Sequence, residues 1–197
     1  MQNIGDQITA LFGKLQDLEA ELEDDLEAQR KEFHYAVKAR RVKFDATVRQ
    51  YHKSFRISVR RLLTDSSLPS ILASPFVYLV IFPLLILDLM LWIFQLFCAP
   101  VYGIAKVRRA DYVVLDRHML SYLNPIEKIN CVYCGYANGL LGYAREIAGR
   151  AEAHWCPIKH AIKVKGAHPR YYQFADYGDA KGFRENHDAR HDTSKPD

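Results

Sequence analysis

Three of the four cysteines and one histidine have the spacing of a closed metal site. Together they form the pattern C-x2-C-x21-C-x3-H, whose members are Cys131, Cys134, Cys156 and His160. Two cysteines separated by two residues can place both sulfurs around one ion, and a Cys and a His further along can complete a tetrahedron. Thiolates and imidazole suit a structural Zn²⁺, so we expect these four residues to bind zinc in a reducing compartment.

The sequence around these cysteines resembles the rubredoxin family and, more loosely, zinc ribbons. Cys131-Val-Tyr-Cys134-Gly-Tyr is similar to the first rubredoxin knuckle, C-x-x-C-G-Y, and Trp155-Cys156-Pro157 is similar to the start of the second. Rubredoxins hold one iron on four cysteines and transfer single electrons. The resemblance therefore implies iron as the alternative metal. It departs from the family at His160, which stands one residue later than the fourth cysteine should.

The segment between the two cysteine groups predicts a helix from Leu140 to Trp155. Leu140, Tyr143, Ile147 and Ala151 recur at helical spacing and would form its buried stripe. Glu146 and Arg150 are four residues apart, which favours a salt bridge on one helix face. No nucleophile and base with motif-level spacing occur, so no catalytic residue is predicted and enzymatic activity is left open.

A long apolar run precedes this region. Residues 71–105 contain one charged residue, Asp88, at the centre of the run. One bilayer crossing takes about 20 helical residues and two crossings take about 40, so the length lies between the two. We expect a membrane hairpin with Asp88 near its tip, and the alternative is one long, kinked span in which Asp88 needs a polar partner.

Basic residues flank the apolar run on both sides. The residues expected to meet lipid headgroups are Lys53, Arg56, Arg60, Arg61, Lys106, Arg108 and Arg109. With Arg117 counted, four basic residues precede the run and four follow it, and such equal charge is expected if both flanks lie in the cytoplasm. Because the basic stretch leads directly into the apolar run, we interpret it as a surface for anionic lipids rather than for nucleic acid.

The first 66 residues predict one long helix, acidic and then basic. Residues 1–32 carry nine acids and three bases, whereas residues 33–63 carry nine bases and one acid. Apolar residues recur in alternating steps of three and four, as in a coiled coil, at Ile8, Leu11, Leu15, Leu18 and Leu22 and again at Phe44, Val48, Tyr51, Phe55 and Leu62. Such a narrow stripe favours association with another copy or with a partner membrane protein.

These patterns predict a mainly helical protein with four parts. They are a coiled-coil helix over 1–66, a membrane segment over 70–106, a Cys3His metal domain over 107–182 and a polar, disordered tail over 183–197. We expect a membrane-anchored scaffold or accessory subunit in the inner (cytoplasmic) membrane, with both termini in the cytoplasm and structural zinc in its interaction domain. The alternative is an iron-containing electron-transfer or metal-handling subunit of a membrane oxidoreductase.

Overall fold

The chain is mainly helical, as the sequence predicts. The computed structural model of the chain describes residues 4–33, 35–38 and 41–191. These residues divide into two compact units, one formed by Met1–Leu62 with His118–Lys128 and the other by Leu63–Arg117 with Ile129–Asp197.

The first unit does not contain the predicted continuous helix over 1–66. Its first helix, α1, spans Ile4–Glu32 and is followed by an antiparallel hairpin of β1 (Tyr35–Lys38) and β2 (Arg41–Phe44). Phe33, Tyr35 and Val37, and then Val42 and Phe44, alternate with polar or small residues. This period of two fits a strand better than a helix.

Two short helices follow the hairpin. They are α2 (Ala46–Ser54) and α3 (Val59–Asp65). In α2 the ring of His52 lies edge-on to Phe44 and to Tyr122, with ring centroids 5.4 and 5.5 Å apart. These aromatic contacts join α2 to β2 and to the chain just before the last long helix.

The second unit is built on one apolar helical run, Leu68–Val101, which we call the apolar helix. It consists of α4 (Leu68–Leu79), α5 (Ile81–Ile93), a π-helical segment (Phe94–Cys98) and α6 (Ala99–Val101). Pro83 explains the interruption at Val80, since a proline cannot donate to the carbonyl four residues back and its ring clashes with that carbonyl. The run is long and apolar enough to cross a membrane.

The predicted hairpin at Asp88 is wrong, because Asp88 lies inside α5 rather than in a turn. The chain reverses instead after α6, where Gly103 has a positive φ of 65°. The amide of Gly103 bonds to the carbonyl of Pro100, and the amide of Ile104 bonds to that of Ala99. This pair of bonds is a Schellman cap, which ends the helix and turns the chain back.

Residues 104–117, which we call the return segment, run back along the apolar helix. Val107 bonds to Gln95, and Arg109 bonds to Asp88 further towards the start of the helix. A second long helix, α7 (Pro125–Trp155), then runs in the same direction as the apolar helix. It begins at a capping box in which the Asn124 amide donates to Glu127, and the Glu127 amide donates to the Asn124 side chain.

The core of this unit lies where these three elements meet. Leu84 from α5 and Val107 from the return segment pack with Leu140, Tyr143 and Ile147 from α7. The buried stripe predicted for α7 is therefore correct at those three positions. The fourth, Ala151, is half-buried.

After α7 the chain forms a short irregular layer and a final helix. Ile158 and Ala175 form an isolated parallel bridge, and a 3-10 turn covers Pro169–Gln173. The last helix, α8, spans Ala180–His191, although the sequence predicts a disordered tail from residue 183. Residues 192–197 of that predicted tail lie outside the described residues.

Candidate functional site

The apolar helix has two unlike faces. The outer face exposes large side chains, among them Phe76 at 71%, Ile86 at 62% and Phe97 at 62% of their full area. Three polar residues of the helix, Tyr78, Asp88 and Gln95, lie on the opposite, inner face, where each bonds to α7 or to the return segment. We call this line of polar contacts the polar seam.

The first level of the polar seam lies near the end of α4. The hydroxyl of Tyr78 donates to the side-chain oxygen of Asn130, and the hydroxyl of Tyr133 donates to the carbonyl of Val77 at 2.7 Å. The Tyr78 and Tyr133 rings also meet edge to face, with centroids 5.5 Å apart. The hydroxyls of Tyr78 and Tyr133 thus both donate hydrogen bonds to acceptors in the same chain.

The second level is an ion pair. Arg109 meets Asp88 through two parallel bonds, Nε to Oδ1 at 3.1 Å and Nη2 to Oδ2 at 2.7 Å. The hydroxyl of Tyr136 adds a third bond to Oδ2 at 2.9 Å. Such a two-bond pair fixes geometry as well as charge. The partner that sequence analysis requires for Asp88 in a single helix is therefore supplied by the chain itself.

At the third level, the side-chain amide of Gln95 makes the hydrogen bonds to Val107 that the backbone of a neighbouring strand would make. The Gln95 oxygen accepts from the amide of Val107 at 3.0 Å, while the Gln95 nitrogen donates to the Val107 carbonyl at 2.7 Å and to the Tyr143 hydroxyl at 2.9 Å. Gln95 thereby bonds the return segment as a neighbouring strand would, and it also connects to α7.

A glycine face on α7 lets the return segment come this close. A Cβ built at Gly139 would lie 2.6 Å from the carbonyl oxygen of Tyr112 and 2.8 Å from the Cα of Val113. These are backbone atoms, so they cannot move aside as the end of a side chain can. Gly135, one turn earlier, faces the Val114 carbonyl at 3.2 Å. The glycines after Cys134 thus serve helix packing and not a metal loop.

The rubredoxin-like knuckle is wrong. Cys131 and Cys134 lie within the continuous helix α7, and Cys156 comes directly after its last residue, Trp155. From Cys134 to Trp155 is 21 residues, or about 32 Å along a helix at 1.5 Å per residue. Four ligands cannot surround one ion across that distance.

The other predicted ligand, His160, lies in the layer after α7. Its backbone amide donates to the hydroxyl of Tyr171, and the two rings stack. Among the residues that the structure describes, no three His, Cys, Asp or Glu side chains are grouped to hold a metal. Zinc content, with iron as the alternative, stays a prediction that metal analysis would check.

All seven predicted headgroup residues are exposed, including Arg109, whose side chain keeps 45% of its full area. Lys53, Arg56, Arg60 and Arg61 precede the apolar helix, and Lys106 and Arg108 follow it in the return segment. Arg108 lies 3.7 Å from Asp111 in a pair that is open to solvent. The seventh residue, Arg109, is also part of the polar seam, through its pair with Asp88.

A second charged group lies further along α7, as its spacing predicts. Arg150 Nε donates to Glu146 Oε1 at 2.8 Å, and Arg170 Nη1 approaches the same oxygen at 2.7 Å. Burial alone would raise the pKa of Glu146, but the bonds and charges of the two arginines outweigh burial and lower that pKa. The contribution of Arg170 is missed by the sequence, because it lies 24 residues from Glu146.

The chain was compared with protein-family models, with curated proteins and with solved structures, and none of these comparisons gives a match.

Proposed function

We propose that this chain is a membrane-anchored scaffold or accessory protein. The supporting observation is the division of the apolar helix into a broad, exposed apolar face and an inner face that is bonded along the polar seam. Exposed apolar surface on this scale is expected where a membrane or another protein covers it. The described residues of the outer face between Leu68 and Val101 carry no charge, which suits lipid.

In this proposal the apolar helix lies in the plane of the membrane surface and does not cross the bilayer. Contacts with α7 extend from Tyr78, against Tyr133, to Tyr102, against Trp155. That length is 24 residues, or about 36 Å, which exceeds a hydrocarbon core of about 30 Å. Crossing would therefore submerge the return segment and much of α7 as well.

The charges of the return segment oppose such a crossing. Arg108 and Asp111 are exposed, and each would cost roughly 2.5–3.5 kcal/mol at the centre of a bilayer. In the surface arrangement the outer face enters the acyl region by about 5–10 Å and these charges remain at the headgroups. Lys106 and Arg108 then each gain about 1 kcal/mol from anionic lipid.

The scaffold role is assigned to α1. Leu11, Leu15, Leu18 and Leu22 form an exposed stripe on α1. A stripe of this width fits one facing helix, supplied by a second copy or by a partner membrane protein. The electron-transfer alternative relied on the cysteine knuckle and loses its support with it.

Labelling of single cysteines tests the arrangement. The background lacks the four native cysteines. Lys53→Cys places a thiol before the apolar helix in the sequence, and Lys163→Cys places one after it; both positions are exposed. After the protein is added to preformed vesicles, both thiols should react with an impermeant maleimide. Protection of one of them until detergent is added would show a crossing helix, and failure to bind vesicles at all would refute membrane anchoring.

A further inference from the structure

A cavity of about 440 Å³ lies beside the turn that follows the apolar helix. Its volume falls within the range of about 300–1,000 Å³ that is typical of ligand pockets. Gly103, Ile104 and Ala105 are part of its lining. The other residues that line it are Arg150, Ala153, His154, Arg170, Gln173 and Phe174.

Each of the four polar side chains among the lining residues can donate hydrogen bonds. They are two guanidinium groups, one imidazole and one carboxamide, whereas Glu146, which bonds to both arginines, is not among the lining residues. One carboxylate balances one of the two arginines, so the pair keeps a net charge of about +1. An anion with several oxygen acceptors is the complementary ligand.

The arginines are held in place before any ligand arrives. Arg150 donates through Nη1 to the carbonyls of Ala105 and Lys106, at 2.8 and 3.1 Å, in addition to its bond with Glu146. In contacts between described residues, three of the five Arg150 donors are used, and Arg170 uses one. Donors remain on both side chains, and little side-chain ordering is needed on binding.

We propose that this cavity is a phosphate-binding site, formed by Arg150 and Arg170 with His154 and Gln173 at its walls. Two guanidinium forks match the oxygens of a phosphate group better than a single ammonium would. The proposal deepens the proposed function, on which its lipid form rests: at the end of a helix embedded in the membrane surface, the phosphate would be that of an anionic headgroup. A free phosphate ester has the same chemistry.

Two probes separate these sources. The full chain in detergent is titrated calorimetrically with inorganic phosphate, and the full chain is also sedimented with phosphatidylcholine vesicles prepared with or without phosphatidic acid. Arg170→Gln should weaken binding to phosphatidic acid vesicles, or to phosphate, by about tenfold or more, because it removes charge-assisted bonds. It should leave binding to pure phosphatidylcholine unchanged.

The matched control is Lys181→Gln, which makes the same charge change at an exposed position that does not line the cavity. Its affinities should stay within about twofold of the wild type. Ala153→Leu is the second variant, since it fills the cavity and keeps every charge. It should reproduce the loss seen with Arg170→Gln if that loss arises in the cavity and not from misfolding.

The outcomes are distinct. Calorimetric phosphate binding without vesicle binding supports the cavity and refutes membrane anchoring. The cavity proposal is overturned, but the anchoring is kept, by a different result. In that result the wild type, Arg170→Gln and Ala153→Leu bind both kinds of vesicle with equal affinity, and calorimetry shows no phosphate binding. A selective loss in Arg170→Gln and Ala153→Leu, absent from Lys181→Gln, supports the site.

Discussion

The helix α1 and the apolar helix both expose leucines, but they do so in opposite surroundings. On α1, the four leucines from Leu11 to Leu22 are 54–61% exposed, and acids such as Asp17, Glu19 and Glu21 lie between them. On the apolar helix the outer face carries no charge. The one charged residue of that helix, Asp88, lies on the inner face and pairs with Arg109. Exposure alone thus does not say what covers a helix. A narrow stripe among charges fits another helix in water, whereas a broad uncharged face fits lipid.

The two helices also differ in how they are held. The apolar helix is joined to its own chain at three levels of the polar seam, whereas the leucines of α1 from Leu11 to Leu22 are exposed, and we propose that a partner covers them. We therefore expect substitutions in α1 to change assembly without changing lipid affinity. Substitutions on the outer face of the apolar helix should do the reverse.

The largest effect is expected on assembly. Leu15→Asp combined with Leu22→Asp places two charges in the α1 stripe, and each buried leucine of a coiled coil contributes roughly 2–5 kcal/mol. The mass in detergent, measured by light scattering, should fall to that of a smaller assembly, or a partner should be lost. The control is Glu21→Gln, which changes a residue beside the stripe without widening it. An unchanged mass in the double variant would break the comparison on the α1 side.

The next effect concerns lipid affinity. Ile86→Arg puts a charge on the outer face, at a cost of up to about 2.5–3.5 kcal/mol at hydrocarbon depth. Vesicle co-sedimentation should show affinity lower by tenfold or more. Leu18→Arg is the matched control, because Leu18 is 60% exposed on α1 and Ile86 is 62% exposed. Equal losses in the two variants would show that both helices meet lipid.

A smaller effect is expected on the packing behind the outer face. Gly139→Ala places a Cβ against backbone atoms of Tyr112 and Val113 and should lower the free energy of unfolding by about 1–3 kcal/mol. Gly142→Ala is the matched control, since its Cβ would lie 3.4 Å from a Tyr112 ring carbon and the helix gains about 1 kcal/mol from replacing glycine. Urea unfolding measures both. If the two variants behave alike, the return segment does not lie against α7.

The smallest effect is a pH dependence of stability. The pKa of Glu146 is lower in the folded chain than in the unfolded chain, so its contribution is complete above the unfolded-state pKa of about 4.3 and is lost as pH falls through the folded-state pKa. Glu146→Gln should be less stable than the wild type at pH 7, and the gap should close in acid. Glu21→Gln on α1 should stay within about 0.5 kcal/mol of the wild type at pH 7. A gap for Glu146→Gln that is the same at both pH values would refute this assignment.

Features set by neighbouring residues were predictable from the sequence. The stripe of Leu140, Tyr143 and Ile147 and the pair of Glu146 and Arg150 follow from helical spacing alone, and the structure contains them. The apolar helix was predictable from the length and hydropathy of its run. Its position relative to a membrane was not, because that depends on what packs on its inner face.

The error at the cysteines arose from a local pattern that has more than one meaning. Glycines after Cys134 are typical of a metal loop, but here Gly139 allows a backbone to approach a helix. The stronger signal was upstream, where Asn124 and Glu127 have the spacing of a capping box and place the start of the helix at Pro125. A helix that starts there leaves Cys131 and Cys134 inside it.

The polar seam was not predictable residue by residue, since its partners are distant in sequence. Asp88 lies 21 residues from Arg109 and 48 from Tyr136. One hint was available: Asp88 and Gln95 are seven residues apart and so share a helix face. Two polar residues on one face of an otherwise apolar helix indicate a side that is turned away from lipid.

The distance in sequence between the apolar helix and α7 has a consequence during synthesis of the chain. Asp88 and Gln95 leave the ribosome well before Tyr136 and Tyr143, which follow each of them by 48 residues. At about 5–20 residues per second, the nascent chain waits roughly 2–10 s before α7 exists. During that interval α7 cannot yet cover the inner face of the nascent apolar segment, so in the proposed function lipid or a chaperone receives the segment before α7 does. In the proposed function, membrane delivery therefore competes with translation, and slowing the ribosome between codons 101 and 125 should increase the dependence of the chain on such a receiver.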